Sequence, residues 1–276
     1  MKKISLWLCV LLFAGYSSTA QYYYTDILNN KQVMAELAVM KEKKVKGVKV
    51  ISMEADGTES EGFTCQKKIN RDFTEVEIYT ATAQSYPNTF TTYFDKTGML
   101  LRTVDSSEAG ATTVDYLYDG AGKLVSVNSV KRFADEDAAD VAEQHFYEYN
   151  AQGVAQRMLL VRNRKDTTLF GFEADESGNV IIEKNAKTSE VYYYYYDTWK
   201  QLTDIVHKYS YQKQLFTESS FEYNEAGQLV KMVSSEKEGA YYFTWRYTYE
   251  DGLRTTERCY SKEGRIMGSV EYLYKK

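Results

Sequence analysis

A short motif recurs along the chain and constrains its fold more than any other feature. The motif reads aromatic, any residue, aromatic, Asp or Asn, two residues, Gly, one residue, aliphatic, and residues 116–124 are its fullest copy. Asp or Asn at the first turn position accepts hydrogen bonds from backbone amides further on. Gly supplies the positive φ of a type I turn with a G1 bulge. Each copy therefore predicts a strand, a tight turn and a second strand.

The turn residues of five copies are the best defined. They are Asp95 with Gly98, Asp119 with Gly122, Asn150 with Gly153, Asp175 with Gly178, and Asn224 with Gly227. A degenerate copy keeps Asp197 but has Lys200 where Gly is expected. Weaker polar turns between the copies, as at 107–110 and 236–239, predict the other end of each hairpin. The pattern predicts one antiparallel meander from about residue 45 to the C-terminus.

The number of strands limits the shape of such a meander. The composition, with 26 Tyr, 16 Gly and one Pro, is typical of β-structure with tight turns. Because large open sheets curl or split to bury one face, the strand number disfavours a flat single layer. We therefore expect an all-β fold in which the hairpin repeats form a curved or superhelical sheet, a strap or an incomplete barrel. A closed multi-bladed propeller is the alternative, and the irregular spacing of the copies disfavours it.

The N-terminal residues divide the chain into three parts. Residues 1–20 have the pattern of a cleaved secretory signal, with Lys2 and Lys3 before an apolar run and Ala20 before the cleavage position. An N-terminal membrane anchor is the alternative. Residues 21–44 carry a rough helical stripe and predict a short helical cap over the first sheet edge. Residues 45–276 form the repeat domain. We expect export to the periplasm, the outer surface or the medium, with no transmembrane span after cleavage.

Charge and cysteine content restrict the partners and the redox chemistry. The formal net charge of −5 argues against a nucleic-acid partner, which requires a basic surface. Cys65 and Cys259 remain after removal of the signal. A disulfide between them is allowed in an exported compartment, and two separate semi-buried thiols are the alternative.

The copies of the motif resemble the YD repeats of the Rhs-like family of exported bacterial proteins. The resemblance covers roughly residues 90–276 and, more weakly, 45–89. It implies a continuous β-sheet that winds into a shell or strap. Large members enclose a toxic C-terminal domain, but this chain has no obvious self-cleavage motif. A second stretch, TYFDKTGM at 92–99, is similar to choline- and glucan-binding hairpin repeats, whose Trp and Tyr side chains form cages for their ligands.

Motifs that indicate catalysis are missing from the sequence. His145 and His207 fall in predicted strands, and a surface or half-buried strand histidine is the interpretation for each. No G-x-S-x-G, H-E-x-x-H or phosphate-loop pattern occurs. The acidic loop at 135–140 lacks EF-hand spacing, which favours a solvated loop. We therefore assign no catalytic residue, no metal and no cofactor, and do not expect an enzyme.

The aromatic residues sort into two faces. Aromatics one and three residues before the turn Asp share one face, which predicts that Tyr194, Tyr196, Phe243 and Trp245 are buried. The residue between them falls on the wetted face, as Glu222 does. Four aromatic or aliphatic residues occupy positions predicted to lie on this solvent-exposed face, namely Tyr93, Leu117, Tyr193 and Tyr195. Exposed aromatics suit sugar stacking or protein contact. The candidate ligand-binding residues are Tyr193, Tyr195, Trp199 and Tyr93.

These features favour a non-enzymatic exported repeat protein. We expect a binding or scaffold module for a protein or a cell-envelope partner such as a glycan. A carbohydrate-binding module that uses exposed Tyr and Trp is the alternative, and a hydrolase with a cross-strand site is a third hypothesis.

Overall fold

The computed structural model describes residues 23–135, 137–236 and 239–276, and the predicted signal peptide lies outside them. This part of the chain contains one helix, α1 (Tyr24–Glu42), and 18 strands. The strands are β1 (Gly47–Glu54), β2 (Thr64–Ile69), β3 (Glu75–Thr82), β4 (Ser85–Phe94), β5 (Leu100–Ser107), β6 (Gly110–Tyr118), β7 (Leu124–Phe133), β8 (Val141–Tyr149), β9 (Ala155–Arg162), β10 (Asp166–Ala174), β11 (Val180–Asn185), β12 (Val191–Tyr196), β13 (Leu202–Lys208), β14 (Phe216–Tyr223), β15 (Leu229–Glu236), β16 (Tyr241–Glu250), β17 (Leu253–Tyr260) and β18 (Ile266–Lys275).

The strands form one closed antiparallel barrel. Each strand pairs with the next along the chain, and β1 pairs with both β2 and β18. The closing register runs from Gly47 opposite Lys275 to Glu54 opposite Gly268. The expectation of an open, curved or superhelical sheet is therefore wrong, and so is the propeller alternative, because all 18 strands belong to one sheet. Closure has a physical reason: it pairs the backbone groups that two free edges would expose.

The motif turns have the predicted geometry. In the fullest copy, Asp119 Oδ1 accepts the N–H groups of Ala121 and Lys123, each at 2.9 Å, and Gly122 has φ of +78°. A register shift between Leu117 and Tyr118 marks the bulge. The same side-chain hydrogen bonds form at Asp95, Asn150, Asp175, Asp197 and Asn224. The local hairpin prediction is thus confirmed.

The degenerate turn provides a stability prediction. Lys200 has φ of +64° at the place where other copies have Gly, and a side chain there is strained. We expect Lys200→Gly to raise the free energy of unfolding by about 0.5–1 kcal/mol in urea titrations. The reverse change at an equivalent site, Gly122→Ala, is the matched control and is expected to lower it by a similar amount. A loss of stability in Lys200→Gly would contradict this account of the turn.

The inner face of the barrel holds the core. Tyr194 and Trp245 are buried and Glu222 is exposed, as predicted, whereas Tyr196 and Phe243 are only half-buried. Two apolar clusters fill the interior. One includes Trp245, Cys259, Val270 and Leu100, and the other includes Tyr194, Met158, Phe172 and Val180. Cys65 and Cys259 are both buried and free, so no disulfide joins them.

Helix α1 packs on the inner face instead of covering a sheet edge. The Tyr24 ring lies 5.3 Å from that of Tyr194 and 6.0 Å from that of Phe172. At the other end, Lys43 Nζ pairs with Asp251 at 2.9 Å. The predicted edge-covering role is wrong because the closed sheet has no first edge, and the helix fills the lumen. Among the described residues, no helix has the length and apolar character needed to cross a membrane.

Candidate functional site

Two of the predicted site residues on the β12–β13 hairpin lie on the outer face of the barrel, and the third, Trp199, lies in the turn. Tyr192 and Tyr194 point inward and are buried, so Tyr193 and Tyr195 point outward by alternation. Tyr195 is 48% exposed opposite Asp204, and Trp199 in the turn is 80% exposed. We call Tyr193, Tyr195 and Trp199 the tyrosine hairpin. Two large aromatic side chains are thus exposed on one hairpin.

Comparison with the other turns shows that the Trp199 side chain has no part in building the turn. The Trp199 N–H donates to Asp197 Oδ1 at 2.9 Å. Small or polar residues make the same backbone hydrogen bond in the other copies, namely Thr97, Ala121, Gln152, Ser177 and Ala226. Because the turn forms equally well around alanine, the indole needs another explanation than local folding.

Tyr93, the fourth predicted site residue, lies elsewhere. It is on β4, paired with Glu75 on one side and Arg102 on the other. Strand β4 is separated from β12 by many strands in either direction around the barrel. Tyr193, Tyr195 and Trp199 thus share one hairpin, and Tyr93 lies on a distant strand.

A second outer-face feature involves residues that the sequence analysis mostly missed. Leu117, Phe146, Leu159 and Leu169 are 37–52% exposed. Directly opposed pairs align them across β6 to β10: Leu117 with Ser126, Ser126 with Phe146, Phe146 with Leu159, and Leu159 with Leu169. We call the four apolar residues the apolar row. Only Leu117 stood out in sequence, but counting back two residues from the wetted Glu148 places Phe146 on the same face.

The interior contains a polar cluster around His145, which the sequence did not reveal. His145 Nδ1 lies 2.5 Å from Asp26 Oδ2 on α1, and Nε2 lies 2.8 Å from Glu143 Oε1. Tyr147 Oη donates to the same Asp26 oxygen at 2.7 Å. The expectation of a surface or half-buried histidine is wrong, since His145 is buried. We call Asp26, Glu143 and His145 the histidine clamp, because it joins the helix to the barrel wall.

The charges of the histidine clamp shift its pKa values in opposite directions. Burial alone lowers the pKa of His145, but the hydrogen bonds that its ring donates to Asp26 and Glu143 outweigh this effect and raise the pKa from 6.5 to about 9. Burial raises the pKa of Glu143, yet the hydrogen bonds of His145 and Arg162 lower it to about 2. Arg162 Nε donates to Glu143 Oε2 at 2.6 Å. The clamp is therefore an ion-paired network at neutral pH.

Glu183 holds the start of α1. Its two carboxylate oxygens accept the Tyr23 N–H at 2.8 Å and the Tyr24 N–H at 3.0 Å. Tyr194 Oη also donates to it, at 2.7 Å. Burial raises the pKa of Glu183 from 4.5 to about 7, against the lowering effect of these three hydrogen bonds. A carboxylate at a helix N-terminus satisfies amides that have no partner within the helix.

His207 has a different environment from His145. It is fully buried and stacks on Tyr192, with ring centroids 4.1 Å apart. Its Nδ1 lies 3.2 Å from Glu218 Oε1, and its Nε2 has no hydrogen-bond partner in the part of the chain described. The expectation of a surface or half-buried position is wrong here too. Both histidines belong to the packed interior.

The side chains of the described residues suit contact with a partner better than they suit catalysis. Within residues 23–135, 137–236 and 239–276, no group of three or more His, Cys, Asp or Glu side chains is placed to hold a metal ion. A groove of about 220 Å³ lies where β1 and β2 separate, lined by residues such as Lys49, Glu59, Ser60 and Phe63. None of the histidine clamp residues lines it.

The fold and these surfaces define a closed all-β barrel of hairpin repeats with a helix in its lumen. No protein-family model matches the chain, and no curated protein matches it. It is similar to a chain titled "Crystal Structure of TcdB2-TccC3", with 12% identity and a TM-score of 0.39, over 77% of this chain and 15% of that one. A porin-like protein from Bacteroides uniformis is similar at 11% identity and a TM-score of 0.41, over 84% of this chain and 98% of that one.

A further structure, the Photorhabdus luminescens Tc holotoxin pore, is similar at 10% identity and a TM-score of 0.28, over 85% of this chain and 17% of that one. The chain thus spans only about 15% of the TcdB2-TccC3 chain. Such low similarity supports no argument about activity, and membership of the YD-repeat family stays a prediction.

Proposed function

We propose that this chain is an exported, non-enzymatic binding module whose tyrosine hairpin anchors a protein of the cell envelope. The observation that carries the proposal is Trp199, 80% exposed at a turn that folds equally well around alanine in other copies. Trp and Tyr are enriched among the residues that dominate binding energy at protein interfaces. The signal pattern at residues 1–20 supports export.

Further support comes from the placement of the titratable groups. His145 and His207, the two histidines of the chain, are buried on the inner face and engaged in packing or ion pairs. Tyr193 and Tyr195 of the tyrosine hairpin instead point to the outside of the barrel. A surface with exposed aromatic rings suits contact with a macromolecule.

Capture from envelope extracts tests the proposal. We expect the wild-type chain to retain a discrete protein, and Trp199→Ala to weaken that binding roughly thirtyfold, the effect of losing one interface anchor. Tyr195→Ala is expected to act in the same direction. Tyr93→Ala is the matched control, since it removes an outward tyrosine at the same motif position on a distant strand. Equal binding by wild type and Trp199→Ala would refute the role of the hairpin.

A carbohydrate-binding module is the second candidate, favoured by the same exposed rings. Aromatic faces stack on the apolar faces of sugars, and Tyr195 and Trp199 are both exposed on the same hairpin. A glycan-array signal that disappears in both Tyr195→Ala and Trp199→Ala would support this candidate. A protein captured in the absence of any glycan signal would support the first.

A further inference from the structure

We propose that the apolar row is the surface through which a second copy of this chain binds, in a two-fold symmetric dimer. The row lies on the outer face, away from the core. Phe146, Leu159 and Leu169 are contiguous across β8 to β10 through directly opposed pairs, and the buried Ser126 on β7 separates them from Leu117 on β6. Contiguous exposed apolar side chains mark interaction surfaces more often than isolated ones. Closed dimers of this type require a surface that is complementary to itself.

The shape of the row meets that requirement. A two-fold axis that runs parallel to the strands between β8 and β9 places Phe146 of each copy against Leu159 of the other. The same axis places Leu169 over β7, where the outward residue is Ser126. Ser126 lies between Leu117 and Phe146, is only 4% exposed, and donates through its hydroxyl group to Asn128 Oδ1 at 3.1 Å. The apolar centre of the row, Phe146 opposite Leu159, is thus complementary to itself under this axis.

The charges beside the row match under the same symmetry. Glu148 and Arg157 are directly opposed on β8 and β9, and Arg157 Nη2 lies 2.6 Å from Glu148 Oε2. Both side chains are more than half exposed. The axis between β8 and β9 brings Glu148 of each copy opposite Arg157 of the other. The flank of the row is therefore complementary to itself and offers no net charge to a charged partner.

The width of the row sets the expected strength. From β6 to β10 it spans four strand spacings, about 19 Å. Such a surface is at the small end of specific interfaces, so we expect a dimer that dissociates on dilution.

Sedimentation equilibrium over a dilution series tests the dimer. We expect the wild-type chain to shift from dimer to monomer on dilution. Leu159→Asp should weaken association roughly a hundredfold, because it would bury an unpaired charge at the centre of the interface. Leu273→Asp, at an outward residue of β18 that is also about half exposed, is the matched control and should leave association unchanged. A wild-type chain that stays monomeric at high concentration would overturn the proposal.

Charge exchange gives a second test that does not depend on apolar packing. Glu148→Arg and Arg157→Glu should each weaken association roughly tenfold, and the double exchange should restore it. Circular dichroism and thermal unfolding establish that each variant folds. Trp199→Ala should dimerise like wild type, which separates this surface from the tyrosine hairpin. A double exchange that remains monomeric although folded, or loss of the dimer in Trp199→Ala, would also overturn the proposal.

Discussion

Replacing His145 with leucine lowers the free energy of unfolding by about 3 kcal/mol near neutral pH, as we expect from the loss of one member of a buried ion pair. The imidazole bridges Asp26 on α1 and Glu143 on β8, at 2.5 and 2.8 Å. Without it, the Asp26 carboxylate loses its cation, and Glu143 keeps only its ion pair with Arg162. The measurement is urea unfolding followed by fluorescence of the buried aromatic residues.

The contribution of His145 to the free energy of unfolding is expected to change with pH in a defined direction. The pKa of His145 is raised from 6.5 to about 9 in the folded chain. Its contribution to stability is therefore fully present below pH 6.5 and is lost as the pH rises through about 9. We expect the stability difference between wild type and His145→Leu to shrink over that interval.

His207→Leu provides the matched control for this experiment. His207 is buried on the same inner face, but its only polar contact is with Glu218 at 3.2 Å, and its Nε2 has no partner in the described chain. We expect a change within about 1 kcal/mol, since leucine removes a buried nitrogen that nothing satisfies. Equal losses in His145→Leu and His207→Leu would show that packing, and not the ion pairs, determines the effect.

Replacing Glu183 with glutamine is the second large effect that we expect, about 2–3 kcal/mol near pH 5. Glutamine keeps the shape and one acceptor oxygen, but its amide group cannot accept the second backbone N–H. The start of α1 would then have an unsatisfied amide in the barrel interior. Glu173→Gln, an outward and exposed change on the neighbouring strand, is the control and should have little effect.

The contribution of Glu183 depends on pH in the same direction as that of His145, but over a lower pH range. The folded pKa of Glu183 is raised from 4.5 to about 7, so its contribution is fully present below pH 4.5 and is lost as the pH rises through about 7. The gap between wild type and Glu183→Gln should therefore narrow from acidic to neutral pH. A gap that widens over this interval would contradict the assignment. Hydrogen exchange at the Tyr24 amide reports the local loosening of α1.

The tyrosine hairpin could be identified from sequence because its evidence is local. The motif phase separates Tyr194 from Tyr195, and the structure places these residues on opposite faces of β12. Tyr93 occupies the same motif position as Tyr195 and also points outward. The motif position alone does not predict where around the barrel its strand lies. Phe146, Leu159 and Leu169 were missed because each lies in a strand outside the motif. The motif makes no prediction about the exposure of residues at those positions.

The sequence by itself determined the hairpins, their turns and the two faces of each strand. These depend on hydrogen bonds within about five residues, such as those of Asp119, and on the period of two along a strand. The tertiary structure alone decided the closure of the barrel, the position of α1 and the burial of both histidines. Closure joins Val50 to Tyr272, and the helix start joins Tyr23 to Glu183, across separations that no local motif encodes. Those pairings depend on the number and twist of all 18 strands and on what fills the space they enclose.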